Sequence, residues 1–159
     1  MYSAYYNSPI GVIQIKGSDK GIEELNFLNE NDKVYENDKV YENDKLDDNM
    51  LLCIKELNEY FTNRRKNFTV KLNIKGTEFQ KKVWNELLKI PYGECRSYKD
   101  IATQVGNSKA ARAVGLANNK NKIAIIIPCH RVIGASGKLI GYAGGVDKKE
   151  YLINLEKLT

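Results

Sequence analysis

The stretch Ile126-Ile127-Pro128-Cys129-His130-Arg131-Val132-Ile133 gathers three reactive side chains behind an apolar run. A thiolate is the reactive form of cysteine, and a neighbouring histidine or arginine lowers a thiol's pKa. The run into Pro128 predicts that Cys129 ends a buried, strand-like segment. Adjacent residues on an extended chain point to opposite sides, so contact between Cys129 and His130 would need a turn or a bridging water. The same pattern also suits a buried structural cysteine beside a half-exposed histidine. Further on, Gly134, Gly137, Gly141, Gly144 and Gly145 surround Tyr142. Such glycine density predicts a winding loop whose backbone approaches a flat ligand closely, or a surface loop with tight turns. It lacks the Gly-Lys-Ser/Thr ending of a phosphate-binding loop.

The elements that must position these residues fall into two parts. In the first, Tyr2 to Tyr6, Gly11 to Lys16 and Ile22 to Phe27 read as strands. The turn cluster Gly17-Ser18-Asp19-Lys20-Gly21 joins the last two as a hairpin. A charged six-residue repeat, Asn31-Asp32-Lys33-Val34-Tyr35-Glu36, recurs at 37–42 and begins again at Asn43, and predicts an expanded surface loop at about 30–46 or a poorly ordered helical extension. Asp48 or Asn49 caps a helix to about Phe61, with Leu51, Ile54, Leu57 and Phe61 on one face. Phe68, Val70, Leu72 and Ile74 alternate as a half-buried strand. Gly76 marks a boundary, so 1–75 forms a small α+β domain.

Residues 76–159 read as mainly helical. Thr77-x-x-Gln80 has capping-box spacing, and Phe79, Val83, Leu87 and Ile90 line a helix that stops before Pro91. Ser97-x-x-Asp100 opens a second helix with Ile101 and Val105 inward. Ser108 caps a third through Ala111, Val114 and Leu116 to about Asn118. Two short helices around a Gly106-Asn107 turn have the form of a helix-turn-helix. A last amphipathic helix, about Lys148 to Leu158, turns Leu152 and Leu155 inward, and a solvated surface position is the ordinary place for Glu156.

Charge follows the same division. The chain has 159 residues and a net charge of +5. Residues 1–75 carry 11 basic and 13 acidic side chains, while 76–159 carry 14 and 7. The basic half suits a polyanionic partner, although solvated surface lysines give the same balance. The longest apolar stretch, Ile123 to Ile127, is too short to span a bilayer, and the N-terminus has no basic-then-apolar signal pattern. Three cysteines, Cys53, Cys95 and Cys129, make no disulfide framework, and a single histidine leaves no zinc site. These features place the chain in a reducing, cytoplasmic compartment.

Pro128-Cys129-His130-Arg131-Val132 resembles the active-site signature of the methylated-DNA–protein-cysteine methyltransferases. So do Gly76-Thr77-x-Phe79-Gln80-x-x-Val83-Trp84, Ile90-Pro91-Tyr92-Gly93, Ser97-Tyr98-x-x-Ile101-Ala102, Ala111-Arg112-Ala113-Val114-Gly115 and Gly141-Tyr142-x-Gly144-Gly145, in family order. The resemblance implies a ribonuclease H-like first domain and a winged-helix-like second domain, which together make an α+β protein. It implies stoichiometric transfer of an alkyl group from O6-alkylguanine in double-stranded DNA to Cys129, by a monomer with no cofactor and no metal. On that resemblance His130 is the base acting through water, Glu156 orients it, Asn121 holds the active-site turn, and Tyr98 assists departure of guanine. Arg112 is the finger that replaces a flipped nucleotide, Ala111, Ala113 and Gly115 belong to the minor-groove surface of its helix, and Ser97 is a further DNA-binding residue. Tyr142, Ala143, Gly144 and Gly145 wall the base pocket. This sequence departs from the family pattern at Lys122, where a proline usually follows the asparagine, and at Ala143, where a hydroxyl residue is common. The alternatives are a lesion-recognition module without transfer, a repair protein that also regulates transcription, and an unrelated thiol enzyme.

Overall fold

The computed structural model describes residues 2–28, 47–134, 137 and 145–157, and these divide into two compact units, Met1–Ile74 and Lys75–Thr159. The charged repeat and the glycine-rich loop's Tyr142, Ala143 and Gly144 lie outside the described residues.

In the first unit, β1 (Tyr2–Ser8), β2 (Gly11–Ser18) and β3 (Gly21–Phe27) form an antiparallel meander. Alternation puts Ala4, Ile13, Ile15 and Leu25 on one buried face. Helix α1 (Asp48–Phe61) is capped by Asp47, whose carboxylate accepts from the Met50 amide at 2.9 Å. Its buried side is Met50, Cys53, Glu56, Leu57, Tyr60 and Phe61, while Leu51 faces out. The expected face through Leu51 is therefore corrected by one position. The shift is possible because Glu56 is neutralised inside: it accepts from the Thr69 amide (2.8 Å) and hydroxyl (2.6 Å) and pairs with Arg65 (3.0 Å).

The strand expected at 68–74 is not a ladder. It makes one parallel bridge, with the Ile22 amide donating to Lys71 O and the Asn73 amide to Ile22 O, both at 2.8 Å. Close approach requires glycine before that bridge. Gly21 has φ +135°, and a Cβ there would lie 2.7 Å from the Leu72 carbonyl carbon.

In the second unit, α2 (Glu78–Leu87), α3 (Tyr98–Gln104) and α4 (Ala111–Asn119) pack around Val83, Trp84, Leu87, Ile101, Ala102 and Val114. Both capping boxes form, Thr77 with Gln80 and Ser97 with Asp100. The Trp84 indole donates to Ala117 O at 2.9 Å and ties α2 to α4. The expected Ser108 cap does not form; Ala110 precedes α4 with no side-chain bond, and Leu116 points outward. Strands β4 (Arg96–Ser97) and β5 (Val132–Ile133) pair in parallel. Between α4 and β5 lies a single 3-10 turn, Cys129–Arg131, and α5 (Val146–Lys157) packs on that turn. Among the described residues no helix is long and apolar enough to cross a membrane, and no group of three His, Cys, Asp or Glu could hold a metal ion.

Candidate active site

The apolar run before Cys129 is a coiled turn rather than the strand-like segment expected from its composition. Ile126 N donates to Ala124 O at 2.7 Å, Ile127 N to Ile123 O at 3.0 Å, and Ile125 takes φ +69°. A β-branched residue in the left-handed region is strained and persists only where surroundings over-determine it. Here Asn121 does so. Its Nδ2 donates to Ile127 O at 2.8 Å and Ile123 O at 3.3 Å, and its Oδ1 accepts from the Ile123 amide at 3.1 Å. Asn118, from α4, donates to the Cys129 carbonyl at 3.4 Å. The thiol is thus fixed from the end of one helix.

Coiling of Cys129, His130 and Arg131 into a 3-10 turn removes the objection that neighbours must point apart. His130 is fully buried, and its Nε2 lies 2.6 Å from Glu156 Oε2. Glu156 is 3% exposed, which corrects the solvated surface position ordinary for a terminal-helix glutamate. It also accepts from Arg131 Nε (2.8 Å), Arg131 Nη2 (3.0 Å) and the Gly93 amide (3.3 Å). Arg131 spends its remaining arm on Ile90 O at 2.8 Å. Burial alone would raise the Glu156 pKa, but the His130 and Arg131 bonds outweigh it and hold the carboxyl well below the usual range. An ionised Glu156 accepts the Nε2 proton, so His130 is the neutral tautomer with its lone pair on Nδ1. Nδ1 is buried with no partner among the described residues. Burial also pulls the His130 pKa down against the opposing pull of Glu156, which keeps the ring neutral near pH 7.

The thiol itself differs from the expectation. Neighbouring charge was to lower its pKa, yet burial raises it, against bonds from Asn121 and the local amides and the charge of Lys149. Arg131 does not serve the thiol; its guanidinium is committed to Glu156. Burial therefore favours a neutral thiol at Cys129 over a standing thiolate.

Tyr98 opens α3, and its hydroxyl pKa is raised by burial and by the facing Cys129. Gly115 lies against it: a Cβ there would sit 3.8 Å from the Tyr98 ring. Ser97 is the α3 cap, and Gly145 (φ +105°) precedes α5. Arg112 and Ala113 are exposed on α4, and Ala111 is half-buried. Cys129, His130, Glu156, Asn121 and Tyr98 thus gather at one centre, while Arg112 and Ala113 stand on an outer helix face.

The two halves of the chain match two family profiles. Residues 1–74 match the 6-O-methylguanine DNA methyltransferase ribonuclease-like domain, and 78–158 match its DNA-binding domain. A methylated-DNA–protein-cysteine methyltransferase of Methanosarcina acetivorans is 52% identical over 156 residues, 98% of both chains. The chain belongs to the methylated-DNA–protein-cysteine methyltransferase family. Among solved members, the crystal structure of Mycobacterium tuberculosis O6-methylguanine methyltransferase superposes with a TM-score of 0.86 at 44% identity, covering 99% of this chain and 93% of that one. The same Mycobacterium protein in complex with DNA gives 0.87 at 44% identity, covering 99% and 94%.

One residue of this methyltransferase's site was missed in the sequence. Lys149, on α5, is 0% exposed, lies 5.8 Å from the Tyr98 ring centroid, and turns its charge toward Cys129 and Cys95. Burial lowers its own pKa, opposed by those two thiols. The signal available was its place one helical turn before Ile153 and two before Glu156, on the buried face of α5. A lysine in a Lys148-Lys149-Glu150 run reads as solvated, and the helix periodicity had to override that.

Proposed function

We propose that this methyltransferase repairs DNA by moving one alkyl group from O6 of alkylguanine to Cys129 Sγ. It binds double-stranded DNA. The alkyl carbon is a soft electrophile, and a thiolate attacks it without metal or organic cofactor. The Cys129 proton passes to His130 Nδ1 through a water. The S–C bond forms as the C–O6 bond breaks, and the charge left on guanine is met at a ring nitrogen by the Tyr98 hydroxyl, through a hydrogen bond or its proton. The product thioether is not reopened, so each chain acts once. O6 is hidden at the pairing edge of a duplex, which requires the nucleotide to be flipped out. Arg112 fills the gap from the minor groove, and Ala111, Ala113 and Gly115 keep that helix slim. Ser97 contacts the backbone, and Tyr142, Ala143, Gly144 and Gly145 wall the base pocket. On this reading residues 76–159 carry DNA binding and transfer, in a monomer.

The observation that carries the reading is the buried Cys129-His130-Glu156 arrangement, with Nε2 held at 2.6 Å and Nδ1 left open. Titration with excess duplex carrying methyl-labelled O6-methylguanine tests it. Labelling should stop at one group per chain, with none in Cys129→Ser and full labelling in Cys53→Ser and Cys95→Ser. Continued turnover, or labelling of Cys129→Ser, would overturn it. Binding of the methylated duplex with no labelling of the wild type would favour the lesion-recognition alternative.

A further inference from the structure

The outward face of α4 carries a side chain that the proposed chemistry leaves unused. Exposed positions recur at Arg112, Ala113, Leu116 and Asn119, a spacing of three and four that lines one side of the helix, with exposed Lys109 in the turn before it and exposed Lys120 at its C-cap. Lysines stand at both ends of this stripe, and Leu116 stands in its middle, 63% exposed. Ala113, three residues before it on the same face, and the adjacent Gly115 leave the Leu116 side chain standing clear. A single exposed leucine on a protein surface is ordinary. This one differs in place. It follows Arg112 by four residues, so the two side chains stand one above the other about 6 Å apart along the axis.

The charge pattern fixes the occupant. Cations at the stripe's ends suit phosphates of the two strands bordering a groove, and an apolar centre suits deoxyribose and base edges on the groove floor. Minor-groove proteins insert leucine in this way, partly unstacking a step and bending the duplex. We propose that Leu116 is a second wedge: it packs into the minor groove one to two nucleotides from the extruded base and holds open the duplex that Arg112 has entered. The proposal rests on the reading of α4 as the DNA-facing helix. Arg112 would substitute for the missing base, and Leu116 would keep the neighbouring step from closing over it. Because the leucine is apolar, its contact releases no counterion.

Leu116→Ala and Leu116→Met test the wedge in the full chain, and the exposure of Leu116 keeps the fold out of the result. Two quantities are read: affinity for an O6-methylguanine duplex across a salt series, and the ratio of transfer rates from that duplex and from free O6-alkylguanine base. For Leu116→Ala we expect duplex affinity and the duplex-to-base ratio to fall about tenfold. The slope of log affinity against log salt should stay at the wild-type value, whereas Arg112→Ala should reduce it by about one. Leu116→Met, apolar and of similar length, should restore most of the affinity. Unchanged affinity in Leu116→Ala overturns the proposal, as does a loss that Met fails to rescue. Wild-type failure to transfer from either substrate would overturn the proposed function instead, and the wedge would still stand or fall on affinity.

Discussion

Replacing Glu156 by glutamine removes one charge and little volume from the centre of the site. The carboxylate now receives four donors: His130 Nε2 at 2.6 Å, Arg131 at 2.8 and 3.0 Å, and the Gly93 amide at 3.3 Å. An amide keeps one acceptor oxygen and turns two N–H groups toward groups that are themselves donors. Arg131, buried, loses its counter-ion, and breaking a buried pair from one side costs about 3–5 kcal/mol. For a chain of this length that lowers Tm by roughly 10 °C. The chemical effect is larger. If the amide N–H faces His130, Nε2 must accept, the ring proton moves to Nδ1, and the base the proposed mechanism assigns to Cys129 is lost. The same tautomer error in a serine-protease triad costs on the order of 10⁴ in rate. Single-turnover transfer followed by mass spectrometry at 10 °C, with circular dichroism confirming the fold, should show a rate 10³–10⁴-fold below wild type. A folded Glu156→Gln protein that transfers within threefold of wild type would refute the account of His130 as a carboxylate-oriented base.

Removing the buried cation by Lys149→Met should slow transfer about 10- to 100-fold and shift the rising limb of the pH–rate profile to higher pH, since one unit of thiol pKa is tenfold in thiolate; an unshifted profile would show Lys149 to be packing alone. Arg112→Ala should depress transfer from duplex far more than transfer from the free base, measured side by side, and equal losses would make Arg112 structural. Asn121→Ala removes three bonds around the strained Ile125 and should cost about 2–4 kcal/mol in urea unfolding; a loss under 1 kcal/mol would mean the turn holds itself. The pH dependence of stability has a fixed sign. Folding depresses the pKa values of both His130 and Glu156, so the unfolded chain binds more protons and stability is lost as pH falls. The His130 share is complete above its ordinary 6.5 and fades below it, and the Glu156 share fades below 4.5. Urea midpoints that stay level from pH 7 to 4 would contradict this.

What the sequence made legible follows from how local each signal is. The three strands and both capping boxes are set by residues within a few positions, and the structure has them where the spacing put them. The face of α1 was off by one because a buried Glu56 is allowed only by partners 9 and 13 residues away, at Arg65 and Thr69. The segment 68–74 alternates like a strand but has a single bridge, at Ile22. Among site residues, Cys129 and His130 announce themselves by adjacency. Glu156 and Asn121 were named by family resemblance, because bonds spanning 26 and 6 residues leave no periodic trace. The rise in the Cys129 pKa and the part of Lys149 depend on burial, which composition does not reveal. Leu116 was placed on its helix correctly and its outward direction was missed.

The most direct test is the intact mass of the protein after incubation with an oligonucleotide carrying one methylated guanine, followed by peptide mapping. The account predicts one shift by the mass of a CH₂ group, never two, located on Cys129, with guanine restored in the DNA. A shift that maps to another residue, or a duplex returned unmethylated with the protein's mass unchanged, would contradict it.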